Sequence, residues 1–355
     1  MKPIICDIMK KGDFMKQTLD YIVDFAKKIL AIPSPSGYTE EVIDFCLAEA
    51  IRLGYQTERT KKGNLIISVP GSGTTVLGLS GHVDTLGAMV RSINGSGELK
   101  FTTIGGPIWP TLDGEYCTIR TREGKDYQGT FLSVNPSSHV NRDANTIERS
   151  PDKMVVRIDE VIHSKEDTIR LGIEPGNFIF FDPKTTVTPS GFIKSRFLDD
   201  KISVSILFGL LYHLSKTKLI PVQNLKIIIS TYEEVGHGAA YIPDLDEFIA
   251  VDMGCIGEDL SCTEMMVSIC AKDSGGPYDY GIVSKLAALS KENNLKYATD
   301  IYPFYGSDVT AALHGGNDFR GGLIGPGVHA SHGMERTHIS ALENTLKLLL
   351  LYLKG

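Results

Sequence analysis

Carboxylates and histidines stand at the ends of three apolar segments of this 355-residue chain. His82 and Asp84 follow VLGLSG, Glu233 and Glu234 follow LKIIIST, and Asp252 follows FIAV. In an open parallel sheet, loops leave and helix N-termini converge at the carboxyl ends of the strands, so these side chains are expected at one edge of the sheet. The pattern indicates a site there, built from imidazole and carboxylate groups.

Further donors of the same kind lie elsewhere in the chain. Asp199 and Asp200 belong to RFLDDK, and His329, His332 and His338 belong to HASHGMERTH. Imidazole and carboxylate ligands without thiolate are typical of hydrolytic zinc, cobalt or manganese sites. A set so rich in carboxylates favours two ions, which would lie about 3.5–4 Å apart and share a bridging carboxylate.

Some of these residues also have simpler interpretations. An acidic pair such as Asp199 and Asp200 at a helix start is more often a cap that interacts with the helix dipole. A single histidine such as His213 or His314 is more often packed or solvated. A carboxylate that closes a buried strand is harder to explain in this way, because an uncompensated charge there is costly. The combination at three strand ends therefore favours a metal site.

The adjacent glutamates place a constraint on the local backbone. Neighbouring side chains of a strand point to opposite faces, so Glu233 and Glu234 cannot reach one site while the strand continues. We therefore predict that the strand ends at Tyr232 and that a turn follows. The glycines and small residues of VGHGAA provide the tight backbone that such a turn needs.

Strands and helices alternate in the two outer parts of the chain. The apolar spacing predicts helices from Met15 to Leu30 and from Thr39 to Leu53, with Ser36 as a cap of the second. Strands are predicted near residues 64 and 75, and the second is expected to be buried on both faces. Helices through ISVSILFGLLYHL, DYGIVSKLAALSKEN and ALENTLKLLLLYL and strands LKIIIST and FIAVDMG follow. This alternation predicts an α/β fold with a mostly parallel sheet sandwiched by helices.

The middle of the chain has a different sequence pattern. Short alternating segments are broken by GSG, GGP, LDGEY and NPSS, and no helical period is present until about Ser164. We expect residues 90–188 to form an inserted β-rich, barrel-like domain. Residues 1–89 and 189–355 would together form the catalytic domain.

Composition narrows the classes of function. The chain is 42% hydrophobic and 22% charged, with a formal net charge of -7, and no basic stripe is present to bind nucleic acid. No segment suits a secretion signal or a membrane span. The six cysteines contain no CxxC pair, which favours reduced thiols in the cytoplasm. Small-molecule or peptide substrates are the better expectation.

Five motifs in order, GHVDTLG, RFLDDK, TYEEVGHGAA, AVDMG and SHGMERTH, resemble the cocatalytic dimetal aminopeptidases. This family includes glutamyl and deblocking aminopeptidases and the tetrahedral aminopeptidases, which have a zinc-exopeptidase-like catalytic domain. The similarity runs along most of the chain. It extends to IHSKEDTIRLGIEPGNFIFFD, which resembles the passage out of the inserted domain, and to YGSDVTAAL, which resembles a turn beside the substrate.

The resemblance implies a role for each motif residue. His82 would be a terminal metal ligand, and Asp84 would hold the tautomer of its imidazole. Glu233, the first of the paired glutamates, would be the general base. The other ligands implied by the motifs are the bridging Asp199, Glu234 and Asp252.

The last ligand would be a histidine near the C-terminus. In the commonest family pattern this histidine precedes serine and proline, whereas this chain has His329, His332 and His338. We choose His332, because SHGMERTH resembles a variant of the motif and because its distance from the ENTLKLL helix is close to the expected one. His338 is its main rival.

The resemblance also implies a reaction and an assembly. A metal-dependent aminopeptidase would remove N-terminal residues from short peptides through a water that bridges two divalent ions. Zinc is the expected metal, with cobalt and manganese as alternatives. Tyr232, His237, Tyr305 and Asp308 are the candidates for substrate contacts. The inserted domain would mediate dimerisation and substrate access in a homo-oligomer, from a dimer up to a tetrahedral dodecamer.

Other functions remain open from the sequence. A dimetal deacylase or carboxypeptidase, or a relative labelled a cellulase, would have the same architecture. A non-catalytic metal-binding or peptide-binding module would keep the ligands without turnover. Glu233 counts against such a module, since binding alone needs no second carboxylate.

Overall fold

The computed structural model describes the backbone of residues 2–355 and the side chains of residues 14–355. These residues form seven helices, most of them in the outer parts of the chain. The predicted long helices are confirmed, although the first begins well before Met15. Ser36 does not cap the second helix, because Thr39 occupies the N-cap position. The helices are α1 (Lys2–Leu30), α2 (Glu40–Arg52), α3 (Lys165–Arg170), α4 (Leu198–Thr217), α5 (Tyr280–Glu292), α6 (Asp308–His314) and α7 (Ile339–Tyr352).

The strands form one large sheet, a closed barrel and a small sheet. Short 3-10 turns occupy Trp109–Thr111 and Glu233–Val235. The strands are β1 (Gln56–Arg59), β2 (Leu65–Val69), β3 (Val76–His82), β4 (Gly87–Ile93), β5 (Leu99–Ile104), β6 (Tyr116–Arg120), β7 (Asp126–Ser133), β8 (Met154–Ile158), β9 (Phe178–Phe181), β10 (Thr186–Val187), β11 (Phe192–Ser195), β12 (Asn224–Ser230), β13 (Glu247–Val251), β14 (Gly254–Cys255), β15 (Val267–Asp273), β16 (Gly276–Pro277), β17 (Tyr297–Ile301), β18 (Arg320–Val328) and β19 (Glu335–His338).

The large sheet has a parallel centre and antiparallel flanks. Its strand order is β1-β2-β12-β3-β13-β18-β15-β16, with β17 paired to β15 and β14 paired to β18. Strands β12, β3, β13 and β18 are parallel, whereas β2 and β15 run antiparallel to this group. As predicted, β3 is buried on both faces. The predicted α/β fold is confirmed.

Each face of the large sheet packs into its own apolar core. Ile227 and Ile249 point into the core formed with α1, α2, α4, α5 and α7. Ile228 and Phe248, the alternate residues, point into a second core on the side of α6. Side chains alternate across a strand, so two buried faces make central strands apolar throughout. This double burial holds the strand ends, and the side chains that follow them, in fixed positions.

One central strand was not predicted from the sequence pattern. Strand β18 reads RGGLIGPGV, and glycine and proline are depleted in strands. The glycines permit close backbone approach: a Cβ on Gly325 would lie 1.6 Å from the carbonyl oxygen of Asp252. Strand β18 therefore packs directly against the backbone of Asp252, which is a predicted metal ligand.

The middle of the chain forms a closed barrel with the order β4-β5-β8-β7-β6-β9, which runs from Gly87 to Phe181. Its interior is filled by aromatic side chains, in which Phe101 meets Phe131 edge-on and Phe131 meets Phe181 edge-on. A barrel has no open sheet edges and needs no partner strand for its backbone. The small sheet β10-β11-β19 joins the end of the barrel region to the C-terminal part. No described helix has the length and hydropathy needed to cross a bilayer.

Candidate active site

The parallel strands bring their carboxyl ends to one edge of the sheet. His82, the last residue of β3, lies opposite Ser230, the last residue of β12. Asp252 follows the end of β13 at Val251. Two sets of three side chains each have ligand atoms within 4.8 Å of one another: His82, Asp199 and Glu234, and His82, Glu233 and Asp252. The strand ends therefore converge as their sequence positions predict.

The paired glutamates lie in a turn that begins earlier than predicted. Strand β12 ends at Ser230 rather than Tyr232, and Glu233 and Glu234 open a 3-10 turn. Gly236 ends the turn with a φ of 82°. Because the turn replaces strand alternation, both carboxylates reach the same cavity.

Asp84 fixes this turn through its buried carboxylate. Its Oδ1 accepts a hydrogen bond from the backbone N–H of Glu233 at 3.1 Å, and its Oδ2 accepts one from Glu234 at 3.2 Å. Ser36, predicted as a helix cap, instead donates its hydroxyl to Oδ2 at 2.5 Å. The Nδ1 atom of His82 lies 2.9 Å from the carbonyl oxygen of Asp84 and 3.5 Å from its carboxylate. Asp84 therefore orients the imidazole chiefly through its main chain.

Asp199 lies at the centre of the cluster. It is near the start of α4, where Asp199 and Asp200 depart from helical geometry. Its Oδ1 is 3.1 Å from the Nε2 of His82, and its Oδ2 is 3.6 Å from the Nε2 of His332. Asp200 points elsewhere and accepts a hydrogen bond from the backbone N–H of His82 at 3.2 Å.

Among the three late histidines, His332 is the one that reaches this cluster. Its Nε2 lies 3.6 Å from Glu234 Oε2, and its Nδ1 lies 2.9 Å from the carbonyl oxygen of Gly106. Gly106 follows β5, so the barrel region orients this imidazole. His338 caps α7 by accepting a hydrogen bond from Ser340, and its other nitrogen lies 2.8 Å from the Ser190 carbonyl. His329 is exposed and pairs with Arg336 through its backbone.

Glu335 is a buried carboxylate that the sequence reading missed. It accepts hydrogen bonds from the backbone N–H of Asp199 at 2.9 Å and of His332 at 3.0 Å. It therefore ties the start of α4 to the loop that carries His332. Its position within ERTH is the only signal in the sequence, and this signal is weak because a glutamate in a short polar segment is usually solvated.

The cluster forms one end of a cavity of about 550 Å³, within the range typical of small-ligand sites. Of the four candidates for substrate contact, Tyr305 lines this cavity. Tyr232 and His237 stack on each other outside it, with ring centroids 5.0 Å apart. Asp308 is buried behind the wall, where it accepts hydrogen bonds from Ser230 and Ala239.

The crowded carboxylates change one another's protonation. Burial raises the pKa of Glu233 and Glu234 well above the ordinary value, and neighbouring carboxylates add to the effect. Burial and the charge of Asp199 raise the pKa of Asp252 to about 7. Burial lowers the pKa of His82, but hydrogen bonds to Asp199 and Asp84 outweigh it and hold this pKa well above its usual range. So many buried acids in contact are stable in ionised form only beside positive charge.

The donor set fits divalent metal ions. It offers imidazole nitrogens and carboxylate oxygens, which suit zinc, cobalt and manganese. The imidazole of His332 has its second nitrogen bonded to a carbonyl oxygen, as is usual for a metal-ligating histidine. The positive charge of cations would offset the repulsion between the carboxylates.

Sequence comparison identifies the family. The family described as M42 glutamyl aminopeptidase matches residues 63–348, and the chain belongs to it. Membership makes the protein a hydrolase of the peptidase class, and the predicted family is confirmed.

Individual relatives agree with this assignment. The chain is 44% identical to YhfE of Bacillus subtilis (strain 168) over 336 residues, which cover 94% of this chain and 97% of YhfE. It is 26% identical to the glutamyl aminopeptidase of Lactococcus lactis subsp. cremoris (strain MG1363), covering 82% of this chain and 84% of the relative. Its fold is similar to that of the TET1 peptidase of Pyrococcus horikoshii, with a TM-score of 0.81 at 22% identity, covering 94% and 99% of the two chains.

Proposed function

We propose that this protein is a metal-dependent aminopeptidase that hydrolyses the N-terminal residue from short peptides. The single observation that carries the proposal is the lining of the cavity. It contains Asp199, Glu233, Glu234 and Asp252, and no lysine or arginine occurs among its described lining residues. The described lining therefore offers no ammonium or guanidinium side chain to pair with the terminal carboxylate of a peptide, whereas an α-amine needs no such partner. The carboxypeptidase alternative is therefore less favoured.

The proposed ligands fall on two sides of Asp199, which would bridge two ions. His82 and Asp252 belong to one side, and Glu234 and His332 belong to the other. Zinc is the first choice, with cobalt or manganese as alternatives. Two such ions would supply a Lewis acid for the substrate carbonyl and would make water lose its proton near neutral pH.

Glu233 is the proposed general base. Its Oε2 lies 3.7 Å from the Nε2 of His82, and its side chain is 16% exposed at the cavity surface. The backbone N–H of Glu233 donates to Asp84 and so holds the turn in place. The side-chain carboxylate of Glu233 is not needed for this contact and remains available for proton transfer. In this role Glu233 takes a proton from the attacking water and delivers it to the leaving amine.

The test replaces the proposed base without changing its volume. Glu233→Gln should retain bound metal and lose about 10²–10⁴-fold in kcat, because the amide cannot accept and return a proton. Glu292→Gln, at the exposed end of α5, is the matched control and should keep full activity. Metal content by mass spectrometry and turnover of aminoacyl p-nitroanilides are the two measurements. Unchanged turnover in Glu233→Gln would remove this residue from the mechanism.

Substrate controls separate the alternative activities. Purified protein is assayed with free-amine p-nitroanilides, with N-acylated ones and with carboxymethyl cellulose. Cleavage that requires the free amine supports the aminopeptidase. Cleavage of N-acylated substrate would favour the deacylase, release of sugar would favour the cellulase-labelled relatives, and metal binding without turnover would indicate a binding module.

We also propose the domain roles and the assembly. Residues 1–89 and 189–355 would form the catalytic domain, and residues 90–188 would mediate self-association and control access to the cavity. The structural relative from Pyrococcus horikoshii can assemble into a tetrahedron or a large octahedral shell. We expect a homo-oligomer here, between a dimer and a dodecamer, and light scattering after size exclusion measures its mass. The five cysteines with described side chains are unpaired, which suits the proposed cytoplasmic location, whereas Cys6 lies outside the described side chains.

A further inference from the structure

The cavity has a second end that the proposed metal cluster does not use. Helix α6 presents one face to it, formed by Thr310, Ala311 and His314, which are spaced as neighbours on a helix surface. The segment Phe304–Ser307, which precedes α6, lines the same end. His314 is exposed, in agreement with the expectation that it is packed or solvated, and it also lines the cavity.

This α6 wall contains no acidic side chain and no lysine or arginine among the described residues that line the cavity. The one carboxylate at the start of the helix, Asp308, points away and is occupied by Ser230 and Ala239. Lys62 donates to the carbonyl oxygen of Gly238 at 3.2 Å and does not line the cavity. Apart from the exposed imidazole of His314, the described residues of this wall therefore offer no carboxylate, ammonium or guanidinium to pair with a charged side chain.

We propose that the α6 wall forms the pocket for the substrate's N-terminal side chain and that it selects uncharged side chains over acidic and basic ones. This inference rests on the proposed aminopeptidase function. A carboxylate or ammonium that binds at this partly exposed wall loses some of its hydration without gaining an oppositely charged partner, whereas an apolar or weakly polar side chain has no such cost. The expected preference therefore differs from the one that the name of the Lactococcus lactis relative states.

The first experiment measures selectivity in the unmodified protein. Metal-loaded protein is assayed with p-nitroanilides of alanine, leucine, glutamate and lysine, and kcat/KM is compared. We expect leucine or alanine to exceed both charged residues by at least about tenfold, the factor that about 1.4 kcal/mol of lost binding produces. A preference for glutamate or lysine overturns the inference while leaving the aminopeptidase proposal intact. Absence of cleavage with all four overturns both.

The second experiment locates the pocket on α6. His314→Lys and Ala311→Lys each place an ammonium at the wall and should raise the glutamate-to-leucine ratio of kcat/KM about fivefold, the upper end for a partly exposed ion pair. Leu313→Lys is the matched control, because Leu313 lies on the same helix, is 47% exposed and does not line the cavity. The control should leave the ratio unchanged.

A ratio that stays constant in both His314→Lys and Ala311→Lys would show that the substrate side chain does not contact α6. An equal change in the Leu313→Lys control would show a general effect of charge rather than a pocket. Circular dichroism confirms that each variant is folded, and turnover of the leucine substrate confirms that the proposed metal site remains intact.

Discussion

Removal of the Glu335 carboxylate should weaken both the fold and metal binding. This side chain is fully buried and accepts hydrogen bonds from the backbone N–H groups of Asp199 and His332. Glu335→Ala leaves both donors without a partner, at about 1–3 kcal/mol each, so the free energy of unfolding should fall by about 2–6 kcal/mol. Glu335→Gln keeps one oxygen acceptor and the side-chain volume, so we expect a loss of about 1–3 kcal/mol.

The effect on metal should exceed what lost stability alone would produce. The two N–H groups belong to residues that are proposed ligands, and loss of their shared acceptor allows each backbone to shift. Loss of a partner that orients a metal ligand typically weakens affinity about 10–100-fold. We expect this loss in Glu335→Gln, in which the fold is retained.

The measurement combines urea unfolding of chelator-treated protein with competition for zinc against a chromophoric chelator. Glu264→Gln is the control, because Glu264 bonds to Arg336, the neighbour of Glu335 on β19, and lies outside the cavity. This control should bind zinc with wild-type affinity. If Glu335→Gln loses stability but binds zinc as tightly as the wild type, Glu335 is a purely structural residue and the positioning argument is wrong.

Three further predictions concern metal, packing and pH. Zinc at about 100 times its dissociation constant should increase the free energy of unfolding by about 2.7 kcal/mol per site and raise the Tm by several degrees in calorimetry. The same Tm with and without chelator would argue against stabilisation by metal. Gly325→Ala should prevent soluble expression, because its Cβ would collide with the backbone of Asp252, while Gly95→Ala, with open space around its Cβ, should express normally. Burial lowers the pKa of the His213 imidazole in the folded protein. As the pH falls below about 6.5, the imidazole is protonated first in the unfolded state, so the free energy of unfolding decreases. Urea titrations of His213→Gln should therefore show a weaker pH dependence than those of the wild type.

The strand ends could be predicted from the sequence because burial on both faces makes a central strand continuously apolar. Where the apolar run stops, the chain leaves the sheet, and polar side chains there face the cavity. This reasoning placed His82, Glu233 and Asp252 near one another, and the structure brings their ligand atoms within 4.8 Å of one another. It failed for β18, because close backbone packing there required glycines that carry no apolar signal.

The sequence by itself determined the α/β alternation, the inserted β-rich region and the donor types, since each is a short-range pattern of residues. Only the tertiary structure decided which distant groups orient those donors. Glu335 lies 136 residues from Asp199, and Gly106 lies 226 residues from His332. Such contacts depend on how the barrel, the small sheet and α4 pack around the strand ends. Local periodicity carries no information about that packing, because many different sequence separations can bring two residues to the same point in space.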